Sequence, residues 1–252
     1  VTSTIERGMA TKAVTPRPAP ARAAPARRGG FLRTSNGKKA VMAVTGAVLV
    51  LFLVAHMLGN LKVFAGAEGF NSYAAWLRTV GEPAVPGRTL LTLAEIGLLA
   101  AVGLHMWAAV SLARRAARAR PVKYAARRRS RADGYVVRTM RYGGVIIALF
   151  VVWHLLDLTF GTVNPGGAAA TPYERVVQGF APARWWVTSF YLVAMAMVGL
   201  HLRHGLWSAF QTLGLARGRR RRALNVLAAA FSAVLVLGFV SVPLAVMIGV
   251  VK

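Results

Sequence analysis

Five side chains in this sequence are imidazoles, and all five stand inside long apolar stretches: His56, His105, His154, His201 and His204. An ionisable group at membrane depth is costly to keep there and is a functional candidate by default. Imidazole can serve as a metal ligand, a proton carrier or a polar packing group. Four separate stretches each supply at least one, which points to shared work more than to isolated packing. No cysteine is present, so disulfides, thiolate-held iron-sulfur clusters and a thiolate-ligated haem are excluded from this chain.

The elements that must position these rings are the apolar stretches 41–64, 90–112, 142–160, 185–211 and 223–251. Each meets the need for about 20 apolar residues to cross roughly 30 Å of hydrocarbon. The fifth carries no histidine and reads as a peripheral, lipid-facing packing helix. Composition agrees: a chain of 252 residues that is 56% hydrophobic suits a multi-span membrane protein better than a soluble domain. The predicted fold is all-α, with five transmembrane helices: a four-helix bundle carrying the histidines and one helix beside it. Residues 1–34, rich in Ala, Pro and Arg, are expected to form a disordered basic tail. Their prolines oppose the amphipathic helix that a transit peptide would need. Residues 35–252 are then one membrane domain.

Charge gives the expected orientation. Lys and Arg number nine in 1–39, eleven in 111–141 and five in 211–222, against two each in 65–88 and 161–184. The positive-inside rule puts the amino terminus and the basic loops in the cytoplasm and the carboxyl terminus outside. The net charge of +25 is thereby explained by topology, and no nucleic-acid partner is expected. No phosphate-binding loop, dinucleotide fingerprint or nucleophile elbow stands out, so no soluble active site is expected either.

Orientation fixes depth. At about 1.5 Å per residue, His56 lies about 22 Å and His154 about 18 Å from the inner ends of their helices. His105 lies only about 10 Å from its inner end, and His201 and His204 near 15 and 10 Å. The rings sort into an outer pair and an inner pair, the arrangement that two stacked b-type haems would need for axial ligation. Ala101, Gly143 and Gly205 stand at same-face spacings near the histidines and would leave room for a porphyrin edge. His201 and His204 are three apart and share a face, so spacing leaves the choice between them open.

These residues also resemble a known family: the five-helix, di-haem cytochrome b subunits of succinate dehydrogenases and fumarate reductases, the cytochrome b558 type. The likeness is carried by His56-Met57-Leu58-Gly59-Asn60-Leu61 and by Gly66-Ala67-Glu68 with Phe70-Asn71-Ser72-Tyr73. Further on come Val152-Trp153-His154 and His201-Leu202-Arg203-His204-Gly205-Leu206-Trp207-Ser208. The resemblance runs from about Ser35 to Val251 and implies His56 and His154 on the outer haem, with His105 and His201 on the inner one. It favours His201 over His204, because in the family three residues intervene between the ligand and a Gly-Leu-aromatic run. His204 is then a neighbour of the inner haem. The family implies a bacterial cytoplasmic-membrane anchor passing electrons from an iron-sulfur subunit, itself attached to a flavoprotein, to a quinone, with menaquinone inferred. FAD and iron-sulfur clusters would sit only on those partners, on the cytoplasmic side, and a higher oligomer of the complex is allowed. Where some fumarate reductases of this type carry a glutamate two residues before the helix-four ligand, this chain has Gly199, which favours succinate oxidation.

Other charges at membrane level remain to be assigned. Asp157 can exchange protons with a quinone or be a helix-end acid meeting water. Glu95 invites the same two readings. Arg203, Lys38 and Lys39 can bind haem propionates or meet lipid phosphates. Two other functions share the histidine pattern: the cytochrome b of a hydrogenase or formate dehydrogenase, and a His-lined proton or metal transporter.

Overall fold

The computed structural model describes residues 30–119, 131–218 and 220–252. The expected basic tail therefore falls outside the described residues as far as 29. The described elements are helical, in seven α-helices: α1 (Ser35–Leu61), α2 (Gly66–Thr79), α3 (Thr89–Arg118), α4 (Arg131–His154), α5 (Pro172–Gly179), α6 (Trp185–Thr212) and α7 (Arg220–Met247). Five are long and apolar enough to cross a bilayer. The chain is a multi-pass, all-α membrane protein, because in hydrocarbon a helix satisfies its own backbone.

Helix boundaries follow local chemistry. Thr34 caps α1, its hydroxyl oxygen accepting from the Gly37 N–H at 2.9 Å. After His154, α4 widens into a single π turn, Leu155–Thr159, before the chain leaves the span. Such turns recur at functional sites. The two loops expected between spans hold α2 and α5. The start of α5 is a capping box: the Thr171 hydroxyl accepts from the Glu174 N–H, and the Glu174 carboxylate accepts from the Thr171 N–H at 2.7 Å. Thr171, Pro172 and Glu174 were a readable helix start inside an expected loop.

The spans pack as two pairs with a common back. α1 lies along α3, α4 lies along α6, and α7 packs on both α6 and α1. The tightest core joins Val187, Tyr191, Ala194, Met195 and Val198 of α6 to Val242, Ala245 and Val246 of α7 and to Phe150 of α4. α7 stands beside the four histidine-bearing helices. It turns Val226, Val234 and Leu237 outward, as a lipid face requires, and buries Ala228, Leu235 and Val242. At Gly199 the approach to α7 is close, since a Cβ there would meet Val236 Cγ2 at 2.7 Å. The missing glutamate at this position thus has a packing counterpart: α6 lets α7 come near.

The two ends of the bundle differ. One is covered by α2 and α5, tied together where Asn71 Oδ1 accepts from the Tyr173 N–H at 3.1 Å. The Tyr173 hydroxyl donates to the Lys252 carbonyl at 3.0 Å and holds the carboxyl-terminal residue there. We call this the capped end. The opposite, basic end carries Lys38, Lys39, Arg114, Arg115, Arg118 and Arg220–Arg222. There Arg115 donates to Ser35 Oγ at 3.0 Å and to the Arg33 carbonyl, tying α3 to the start of α1.

Candidate functional site

Histidines from opposite helix pairs face each other across the slot between α1/α3 and α4/α6. Toward the capped end, the rings of His56 on α1 and His154 on α4 have centroids 5.7 Å apart and stand perpendicular. Farther toward the basic end, His105 on α3 and His201 on α6 have centroids 6.2 Å apart. Neither α1 with α4 nor α3 with α6 is among the closely packed helix pairs, so the facing rings span a gap between backbones. His201 supplies the ring opposite His105. His204, one turn later on α6, is half-buried.

Each ring is positioned by its neighbours. His56 stacks on Phe52 at 5.1 Å and meets Phe239 of α7 at 5.8 Å. His154 lies between Phe150 at 5.6 Å and Tyr191 at 6.1 Å. His105 is held by a hydrogen bond instead. Thr45 Oγ1 lies 3.2 Å from His105 Nδ1 and donates its own proton to the Val41 carbonyl at 2.7 Å. A hydroxyl has one proton to give, so Oγ1 accepts from Nδ1–H and the lone pair of His105 resides on Nε2. Gly46 leaves this ring its place, because a Cβ there would come within 3.3 Å of His105 Cε1. Ala101 and Ala108 keep the same helix narrow on its buried side.

Asp157 is the other buried polar centre of the capped half. It is fully buried, so it is not a helix-end acid meeting water. The π turn carries it inward, where Arg184 Nη1 donates to its Oδ1 at 3.2 Å. Asn164 Nδ2 donates to the same oxygen at 3.2 Å, and the Tyr191 hydroxyl donates to Oδ2 at 3.4 Å. Tyr191 thereby touches both Asp157 and the His154 ring. The remaining candidates are not drawn into this cluster. Glu95 is exposed and pairs with Arg88 at 3.5 Å. Arg203 and Lys39 are exposed, while Lys38 Nζ stands over the Trp107 ring at 5.2 Å.

Thr45, Arg184, Asn164, Tyr191 and Phe239 were not singled out from sequence. Thr45 and Phe239 sit in unbroken apolar runs, and Arg184 and Asn164 in a loop whose path only the fold reveals. The capping box at Thr171 was the one local signal that this loop is built.

Among the described residues outside the spans, Glu174 has its protonation shifted by its neighbours. The backbone N–H of Thr171, then its hydroxyl, stabilise the carboxylate and hold it below its ordinary range.

Residues 116–238 match the succinate dehydrogenase/fumarate reductase transmembrane subunit family. Over those residues, just under half of the chain, the sequence is similar to that family. No curated protein and no solved structure gives a match. The matched span holds α4, α5, α6 and most of α7, with His154, His201 and His204; His56 and His105 lie outside it. The match supports a membrane anchor subunit of a succinate dehydrogenase or fumarate reductase, a family that implies soluble partner subunits.

The residues can be tested against a b haem. Two imidazoles on opposite sides of one first-row metal ion, each nitrogen about 2 Å from it, would have ring centres roughly 6 Å apart. Both pairs have that separation. His154 and His201 each keep a buried Nδ1 without a hydrogen-bond partner, an arrangement with a cost in an apolar slot. Among the described residues no three of His, Asp or Glu gather into a metal-binding group. Paired axial donors suit a macrocycle that brings its own four equatorial nitrogens, and the residues fit the group.

Proposed function

We propose that His56 with His154, and His105 with His201, each hold one b haem. In this reading the subunit carries electrons from an iron-sulfur partner through both haems to a quinone, menaquinone, in the direction of succinate oxidation. What supports it is the pairing of four histidines from four spans at two levels across one slot. Haem bound at each pair supplies one-electron transfer.

The chain's own residues have separable tasks. Thr45 holds His105 in the tautomer that leaves Nε2 free to ligate. Phe52, Phe150 and Phe239 fill the space around the capped-end pair and exclude water from it. Asp157 is enclosed and already paired with Arg184, so its role is to fix the ends of α4 and α6 beside His154, and quinone protonation falls to groups nearer water. Glu95, exposed at the capped half of α3, remains a candidate for that proton exchange. Lys39 and Arg203, exposed toward the basic end, are candidates for haem propionates. His204 is a neighbour of the basic-end site. The basic end faces the cytoplasm, where the iron-sulfur and flavoprotein subunits dock on the cytoplasmic membrane of a bacterium.

The test is anaerobic addition of succinate to the purified complex. The expected result is a reduced b-type absorption spectrum that decays when a menaquinone analogue is added. A complex that oxidises succinate without any b-type absorption would contradict the proposal.

A further inference from the structure

Charge in this subunit is segregated more strongly than orientation alone requires. Glu68, Glu82, Glu95, Asp157 and Glu174 all belong to the capped half, which leaves Glu6 and Asp133 as the only other acids in the chain. The two described ion pairs, Arg88–Glu95 and Arg184–Asp157, are both at the capped half. Among the described residues no carboxylate neutralises the guanidinium groups that open α7.

Two of those groups converge on a cavity. Trp207 of α6 and Gly218, Arg221, Arg222 and Asn225 around the start of α7 line a space of about 410 Å³ at the basic end. Arg221 and Arg222 precede Asn225 by four and three residues, so all three share one face of α7. Two guanidinium forks and a carboxamide are the donors that a phosphate oxygen triad takes. Trp207 supplies the amphipathic ring typical of the headgroup level. Immediately beyond, Val226 and Leu227 are exposed and apolar. A ligand that fills this place therefore needs an anionic head and a hydrocarbon continuation.

We propose that the cavity binds the phosphate of an anionic phospholipid, with its acyl chains laid against the opening turns of α7. The bound headgroup supplies a counter-charge for Arg221 and Arg222. Free phosphate offers the same head without the apolar extension, and an acidic protein surface offers charge without a phosphate to enter the cavity.

The experiment uses the whole complex, exchanged into nanodiscs of phosphatidylcholine doped with phosphatidylglycerol, and counts retained anionic lipid by mass spectrometry. The expected result is preferential retention of phosphatidylglycerol. Arg221→Gln/Arg222→Gln should weaken it by about tenfold or more, as loss of charged hydrogen bonds predicts. Arg217→Gln should leave it unchanged. Asn225→Leu, which keeps both charges, should give a smaller loss and serves if the double variant does not assemble. Equal retention by wild type and variants would overturn the proposal. So would displacement of the lipid by millimolar inorganic phosphate, or a double variant that sheds its soluble subunits while keeping the lipid.

Discussion

The two histidine pairs occupy the same slot and are held by different means. At the capped end the rings of His56 and His154 are wedged by Phe52, Phe150, Tyr191 and Phe239, and below them Asp157 ties the π turn to Arg184. At the basic end His105 is aimed by one hydrogen bond that its Nδ1–H donates to Thr45, in a helix kept slim by Ala101 and Ala108. The first site depends on packing and a buried ion pair that several segments share. The second depends on a local polar contact and on small residues. Damage to the fold should therefore reach the capped-end site first, while single polar substitutions should tune the basic-end site.

The comparison breaks most visibly if the pairs are not independent. His154→Ala should reduce the haem content of the purified subunit from two to one and leave the His105/His201 site loaded, as read by pyridine haemochrome and by low-temperature spectra. His201→Ala should do the reverse, and His204→Ala should keep both. Loss of both haems from either single-site variant would mean one cooperative unit.

Asp157→Ala should be nearly as severe. Removing one partner of a buried pair leaves the other charge without compensation, at a cost of about 3–5 kcal/mol. The thermal midpoint of the complex should fall, with the capped-end haem lost before the other. A variant as stable as wild type would show that the Arg184 contact is incidental.

A milder effect sharpens the contrast at the other end. Thr45→Val removes the acceptor for His105 Nδ1–H and should weaken haem retention at that site by about tenfold, as loss of such orienting partners does. Thr45→Ser should restore it. Titration of haem into the stripped protein measures both, and a Val variant with wild-type affinity would assign the orientation of His105 to packing.

The smallest effect belongs to the cap. The Glu174 carboxylate is favoured in the folded state, so its contribution is present above the ordinary glutamate range and is lost as pH falls through the lowered folded value. Amide exchange in Pro172–Gly179 should quicken on acidification below that range, and Glu174→Gln should remove the dependence. The basic-end helices should show no matching change.

Much of this was legible in the residues. Hydropathy gives five spans because a bilayer tolerates little else, and rise per residue was enough to pair His56 with His154 and His105 with a ring on the fourth span. Sequence spacing could not choose between His201 and His204. The fold shows His201 facing His105, since a helical rotation of three residues separates the two rings. Asp157 was visible as a charge near a span end, but its burial depends on a π turn that no periodicity announces. Its partners come from residues 7, 27 and 34 positions away. Thr45 was hidden for the opposite reason: one hydroxyl in an apolar run looks like packing until a ring from another helix is placed beside it.

The most direct measurement is the number of b haems per chain in the purified complex, from pyridine haemochrome absorption against quantitative amino-acid analysis. Two paired sites predict a ratio of two. A ratio of one would leave one histidine pair without its function, and a ratio of zero would remove the electron-transfer role altogether.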